Sequence, residues 1–284
     1  MSVIINGYTD TRFMKRNMNT CMNEVTVEID RAFGTGRDYD VARSDEWVGI
    51  FEVGPHHHTV RFANSSGFDL GPELRFPKVR HLGDKRIIIL DSRTFRGLLN
   101  GYIFGRDGTL LTRFFAGDGI KDVVVLGDLF AVTYFDEGVF GDVPPSEQGI
   151  AFFDFEGKYL WGYKSLMGSE AVDIADCYCA VRVDHHTLAF SPYTGFELVR
   201  LQPRTRKQEV IEMLPMLWGA SALSLKEEVA FVFGSYEHQQ TIFEWRPGEK
   251  PIELGLHSGR LRGLEGGCFL SCGEHGFTIV EIGS

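Results

Sequence analysis

The sequence predicts an all-β fold, a β-propeller of five or six four-stranded blades, and three observations carry that expectation. After residue 77, an apolar run, a short polar turn and a second apolar run recur five times. Most of these hairpins are followed by a second one, so a unit of four short strands returns about every 40–50 residues, the spacing of a propeller blade. The last unit is one strand short, as a ring closed by a strand from the other end of the chain requires. The physical logic is burial. A lone twisted sheet leaves two apolar faces in water, and packing successive sheets around an axis covers both.

Taken in chain order, VTVEI (25–29), WVGIFEV (47–53) and TVRFA (59–63) are strand candidates by their β-branched and aromatic content. Residues 30–46, RAFGTGRDYDVARSDEW, read as a loop. Their GTG lacks the spacing and strand-to-helix context of a nucleotide fingerprint. Five hairpins follow: VRHLGDKRIIILDSR (79–93), VVVLGDLFAVTYFDEG (123–138), CAVRVDHHTLAFSPYTG (179–195), SALSLKEEVAFVFGSYEH (221–238) and LRGLEGGCFLSCGEHG (261–276). Second hairpins turn at Asp107-Gly108, Glu156-Gly157 and Pro247-Gly248, where glycine supplies the positive φ that such turns need, and 196–214 is a looser version.

The final unit, 260–284, has LRGLE, CFLSC and FTIVEI and lacks a fourth strand. If TVRFA alone closes the ring, there are five blades. If residues 25–75 build a blade of their own and the extreme amino terminus closes the ring, there are six, and the three candidate strands before residue 77 favour six. The whole chain, 1–284, then reads as one propeller domain, with 1–75 supplying amino-terminal strands and closure and 77–284 five blade units.

Composition narrows the function classes. The net charge of −10 argues against a broad nucleic-acid surface, which needs a basic patch. The start, MSVIINGYTDTRFMKR, has an apolar run far short of a signal segment, and no stretch approaches the ~20 apolar residues of a membrane helix. A cytoplasmic protein is the expectation. Cysteines 21, 177, 179, 268 and 272 are an odd set without zinc spacing, so free thiols are expected, with Cys177 and Cys179 on one strand face. His56, His57 and His58, and His185 with His186, lie in turns and point apart. No cofactor or metal site is expected.

Alternation of strand direction gives a candidate site. The inner strand of a blade starts at the mouth to which the second strand returns. Asp118 and Asp122 open one inner strand, and Tyr134, Asp136 and Glu137 close its partner, with only one of the two last acids expected to face the mouth. Asp176 falls where Asp122 falls in the next blade, Tyr178 beside it is a further candidate, and Tyr193, Tyr236 and Glu237 end second strands. Lys78, Arg80, Arg260 and Arg262 lie near inner-strand starts. Together these residues form a polar, acidic rim.

The run GDGI with Asp122 (Gly117–Ile120), YFDEGVFG (Tyr134–Gly141), GIAFFDFEG (Gly149–Gly157) and DCY (Asp176–Tyr178) resembles an uncharacterised family of bacterial β-propeller-like proteins. The resemblance implies the fold and carries no activity. Two function classes follow from the rim. One is a binding module that captures a protein segment or a small ligand at the channel mouth, with loop 137–149 extending the surface. The alternative is a hydrolase or lyase using Asp122, Asp136 and Asp176 as acid, base or cation ligands.

Overall fold

The computed structural model describes residues 2–5, 8–16, 22–43, 45–95, 97–141 and 143–283, with residues 2–5, 8–16 and 43 as backbone. Cys21 lies outside the described residues. Among them, six antiparallel sheets make six blades arranged in a ring. The inner strands are Thr35–Arg43, Pro77–Leu82, Ile120–Val125, Ile174–Arg182, Ala222–Lys226 and Arg262–Leu264. These define blades 1 to 6, and in blades 1 to 5 the following three strands pair outward in chain order. From blade 1 to blade 6 each inner strand lies against the next, the second strand of blade 6, Cys268–Gly273, meets the inner strand of blade 1, and the inner strand of blade 4 also approaches that of blade 6.

The ring is visible in the core. There are six clusters of buried apolar side chains, one in each gap between neighbouring blades. Phe152 and Phe190 fill the gap between blades 3 and 4, for example, and Val232 with Leu198 the gap between 4 and 5. Alternation along each strand sends Val123 to one neighbour and Val124 to the other. A fully buried aliphatic or aromatic side chain contributes roughly 1.5–3 kcal/mol, so the gaps carry most of the favourable energy.

Closure corrects two expectations. The closing strand is Met22–Glu28, which contains most of VTVEI. It pairs with Gly276–Ile282 from Met22 opposite Ile282 to Glu28 opposite Gly276. Ser2–Ile5 and Tyr8–Arg16 continue that sheet outward instead of closing the ring. The stretch 30–46, read as a loop, holds a short 3-10 turn, Arg31–Phe33, and then the nine-residue inner strand of blade 1, Thr35–Arg43. Its low apolar content hid it. An inner strand lines the channel on one edge, so polar residues such as Asp38 and Asp40 are tolerated there.

Turn chemistry follows the sequence. Gly108, Gly157 and Gly248 have φ of +85°, +79° and +85°, and Arg206 takes the same role in blade 4 at φ +55°. At the start of blade 3, two motif segments interlock. Phe135 N–H donates to the Gly119 carbonyl at 2.9 Å. A Cβ on Gly138 would stand 2.2 Å from the Asp118 carbonyl oxygen, so glycine permits this backbone contact. The contact seats a one-turn helix, Asp136–Val139, over the mouth.

A third correction concerns the cysteines. Cys177 pairs opposite Pro192 and Cys179 opposite Ser191, so Tyr178 is an extra, bulged residue. The bulge breaks alternation. Cys177 packs between blades 3 and 4 and Cys179 between blades 4 and 5, on opposite faces. Both are free thiols, as are Cys268 and Cys272.

Candidate functional site

The mouth where inner strands begin carries the loops between second and third strands and the links between blades. The residues expected there divide into three groups. Asp118 is a strut. Its Oδ1 accepts from Thr94 N–H at 2.8 Å and from Arg93 Nε at 3.1 Å, while its own N–H donates to Ser146 Oγ at 2.8 Å. Arg93 also pairs with Glu137, and its guanidinium lies over the Phe135 ring. Glu137 therefore leans toward blade 2. Tyr134 does not reach the mouth. It is fully buried between blades 2 and 3 and donates its hydroxyl to the Ala116 carbonyl at 2.5 Å.

Asp122 lies in the channel within a network that spans four blades. Arg80, 4% exposed, is its hub. The guanidinium pairs with Asp122, donates to Asp38 at 2.6 Å and to the Val123 carbonyl at 3.1 Å. Asp40 accepts from His81 N–H at 2.8 Å and His81 Nδ1 at 2.9 Å, and from Arg262 at 3.1 Å. Burial opposes the charge on Asp122, but Arg80, Arg262 and Lys78 outweigh it and hold the carboxyl below its ordinary range. Asp40 is likewise held far below that range against its burial. Burial pushes the Lys78 ammonium down despite Asp122 and Asp38. A carboxylate so firmly ionised is a poor proton donor or acceptor near neutrality.

Asp176 has the opposite environment. Burial raises its pKa, with Asp136 adding to the effect; Lys121 and a hydrogen bond from the Asp136 backbone N–H oppose it. Its Oδ1 is buried and accepts nothing. Beside it the bulge swings Tyr178 into a group of rings. Tyr193 stacks on Tyr178 at 5.8 Å, and Phe196 stacks on Trp218 at 5.2 Å. Tyr236 meets Tyr178 and Phe196 edge-on at 6.1 and 5.7 Å, and the Tyr178 and Tyr236 hydroxyls hydrogen-bond. Tyr193 is 39% and Tyr236 52% exposed, so the group presents an aromatic shelf to solvent. Lys121 Nζ stands 6.0 Å from the Tyr178 ring centroid. Asp136 and Glu237 are exposed at the same mouth.

Thus Asp136, Asp176, Tyr178, Tyr193 and Tyr236 come together, while Asp122 belongs to the channel and Tyr134 to the core. Sequence reasoning missed Lys121, Phe196 and Trp218 on the shelf, and Asp38, Asp40 and His81 in the channel. Phe196 sits at φ +56° in the tight turn after the second strand of blade 4, and Trp218 in the link before an inner strand. Both are mouth positions by topology, which was the available signal.

The opposite mouth opens into a cavity of about 750 Å3 lined in part by Arg80, Asp122, Arg182, His185, Arg262 and Glu265. Arg182 binds Glu265 in a two-pronged pair at 2.8 and 2.9 Å.

The fold and this site define a six-bladed β-propeller with a charged channel and an aromatic mouth. Comparison with solved structures agrees on the fold. A catalytically inactive virginiamycin B lyase from Staphylococcus aureus, crystallised with quinupristin, is similar at TM-score 0.51 and 7% identity over 92% of this chain and 99% of that one. Hsv2 of Kluyveromyces lactis is similar at TM-score 0.53 and 11% identity over 84% and 71%. A Bacteroides thetaiotaomicron protein of unknown function is similar at TM-score 0.52 and 9% identity over 90% and 72%. At such identities the likeness is one of fold alone. No family model matches the chain, and no curated protein matches it. Among the described residues no helix is long and apolar enough to cross a membrane.

Proposed function

We propose that this chain is a binding module, acting as one propeller domain over 1–284, whose site is the aromatic shelf and Asp176 on the mouth of blades 3 to 5. One observation carries the reading. Rings drawn from two blades converge at the surface beside a carboxylate oxygen that the protein leaves without a donor. Large rigid rings give contact area at little entropic cost. The ligand is a protein segment or a small molecule. The ordered motifs between Gly117 and Tyr178 support kinship with uncharacterised bacterial propeller-like proteins. A cytoplasmic setting fits the free thiols.

A hydrolase or lyase built on Asp122, Asp136 and Asp176 has less support, because Arg80 holds Asp122 ionised. The test is a fragment screen by ligand-observed NMR on the wild-type chain and the Tyr193→Ala/Tyr236→Ala variant. Ligands that bind only the wild type are expected. Hits that bind both proteins equally would refute the shelf as the site.

A further inference from the structure

We propose that Lys78, the unpaired cation of the channel, is a nucleophilic amine that captures a small aldehyde as an imine. This is a second site, separate from the aromatic shelf and independent of what the shelf binds.

Lys78 is the second residue of the inner strand Pro77–Leu82, toward the mouth where inner strands begin. The two-residue period sets it on the same side as Arg80. Asp38 and Asp122 are close enough to act on its charge, yet Arg80 has claimed both. The guanidinium donates to Asp38 at 2.6 Å and pairs with Asp122. The Val79 and Val123 N–H groups bond the same two carboxylates at 2.8 and 2.7 Å. Asp40 is held by His81 and Arg262, and Asp91 on the next strand accepts from the Arg75 and Phe76 N–H groups. Among the described residues Lys78 makes no ion pair and no hydrogen bond. The side chain is half-buried, and its Nζ still reaches solvent.

An amine so placed is primed as a nucleophile. Burial, with the Arg80 and Arg262 guanidinium groups adding to it, outweighs Asp122 and Asp38 and pushes the ammonium down. More free amine is then present near neutrality than on an exposed lysine, and the free amine is the reacting form. The Nζ lone pair attacks the carbonyl carbon, a C–N bond forms, and the C–O bond breaks as water leaves. Overall an ammonium and an aldehyde give an iminium and water, with no oxidant or reductant. The charge balance of the channel selects this chemistry. An iminium keeps the positive charge that Asp38 and Asp122 already face, whereas an amide or a carbamate would erase it. An aldehyde is favoured over a ketone because a hydrogen takes less room beside Arg80 than a second carbon substituent.

The test is reductive alkylation of the wild-type chain with limiting propionaldehyde and cyanoborohydride, which fixes an imine as a secondary amine. The reaction is run at several values between pH 6 and pH 10, and the alkylated lysines are read by peptide mass spectrometry. At pH 7 Lys78 is expected to react about tenfold faster than the exposed Lys85, Lys158 and Lys207, the factor that one unit of pKa supplies. Its rate should also level off at a lower pH than theirs. A rate at Lys78 equal to or below theirs at pH 7, or levelling at the same pH, overturns the proposal. Without reductant, carbon-13 NMR of labelled propionaldehyde should show an imine signal with the wild type that Lys78→Met loses. A signal that survives Lys78→Met overturns the assignment, and if that variant does not fold the labelling profile decides. Neither result touches the fragment comparison at the shelf.

Discussion

Asp122 and Asp176 occupy the same register on neighbouring inner strands, yet the first is locked to Arg80 and the second keeps an oxygen with no donor. Each follows a one-residue irregularity, with Asp122 opposite Thr133 and Asp176 opposite Tyr193. Each is influenced from the preceding blade, Asp122 by an ion pair with Arg80 and Asp176 by the Asp136 carboxyl and backbone N–H. What differs is the preceding blade. Blade 2 sends an arginine into the channel, and blade 3 sends the start of a one-turn helix over the mouth.

That difference gives substitutions of unequal effect. Asp122→Asn strips a charge from a buried pair and leaves Arg80 with Asp38 alone, so a loss of about 2–4 kcal/mol is expected. Asp176→Asn removes a carboxylate whose ionisation burial disfavours, so unchanged or slightly raised stability is expected at pH 7, the effect being softened by solvent screening. Urea denaturation of the two variants reads both. A loss at Asp176 as large as at Asp122 would mean that its charge is structural.

Acid should weaken the ring through the channel. Asp40 and Asp122 have depressed pKa values in the folded chain. The unfolded chain therefore takes up protons first, and stability falls as pH drops below the ordinary aspartate value of about 4. The contribution is complete above that value. Denaturation midpoints measured from pH 7 to pH 3 should fall most steeply at the acid end, and Asp122→Asn should flatten the fall.

Two glycines test turn strain against packing. Gly157 and Gly248 have φ of +79° and +85°, so alanine costs similar backbone strain at each, about 1 kcal/mol. A Cβ at 157 would also stand 2.5 Å from Phe114 Cδ1, whereas at 248 it meets nothing within 4 Å. Gly157→Ala is expected to lower the thermal midpoint by clearly more than Gly248→Ala. Equal shifts would place the whole cost in the backbone.

Ring closure rests on the ladder between Met22–Glu28 and Gly276–Ile282. Val27 is fully buried in it, opposite Phe277. Val27→Pro removes a ladder donor inside a sheet and should cost about 3 kcal/mol or more. Hydrogen exchange should then show blades 1 and 6 opening before blades 3 and 4. Uniform loss of protection would show that the ring opens as one unit.

Much of the architecture was legible because it depends on local order. Paired hairpins with glycine turns, VVVLGDLFAV followed by IAFFDFEGKYLWG, declare a blade without reference to the rest of the chain. The missing strand of unit 260–284 declared a closure from the amino-terminal region. The polar inner strand Thr35–Arg43 escaped because strand signals read apolar alternation, and a strand bordering a channel need not show it. Tyr134 was misplaced for the same reason in reverse: the last residue of a strand looks like a rim position, but a hydroxyl can be buried if a carbonyl such as that of Ala116 accepts from it.

By itself the sequence determined the repeat and its turns, since these follow from strand direction and the two-residue period. Only the tertiary structure decided which charges meet. Arg80 joins Asp38 to Asp122 across three blades, and a single bulged residue carries Tyr178 out to Tyr236. Such pairings depend on distances between residues far apart in the chain, and a change of one residue in strand register rewrites them.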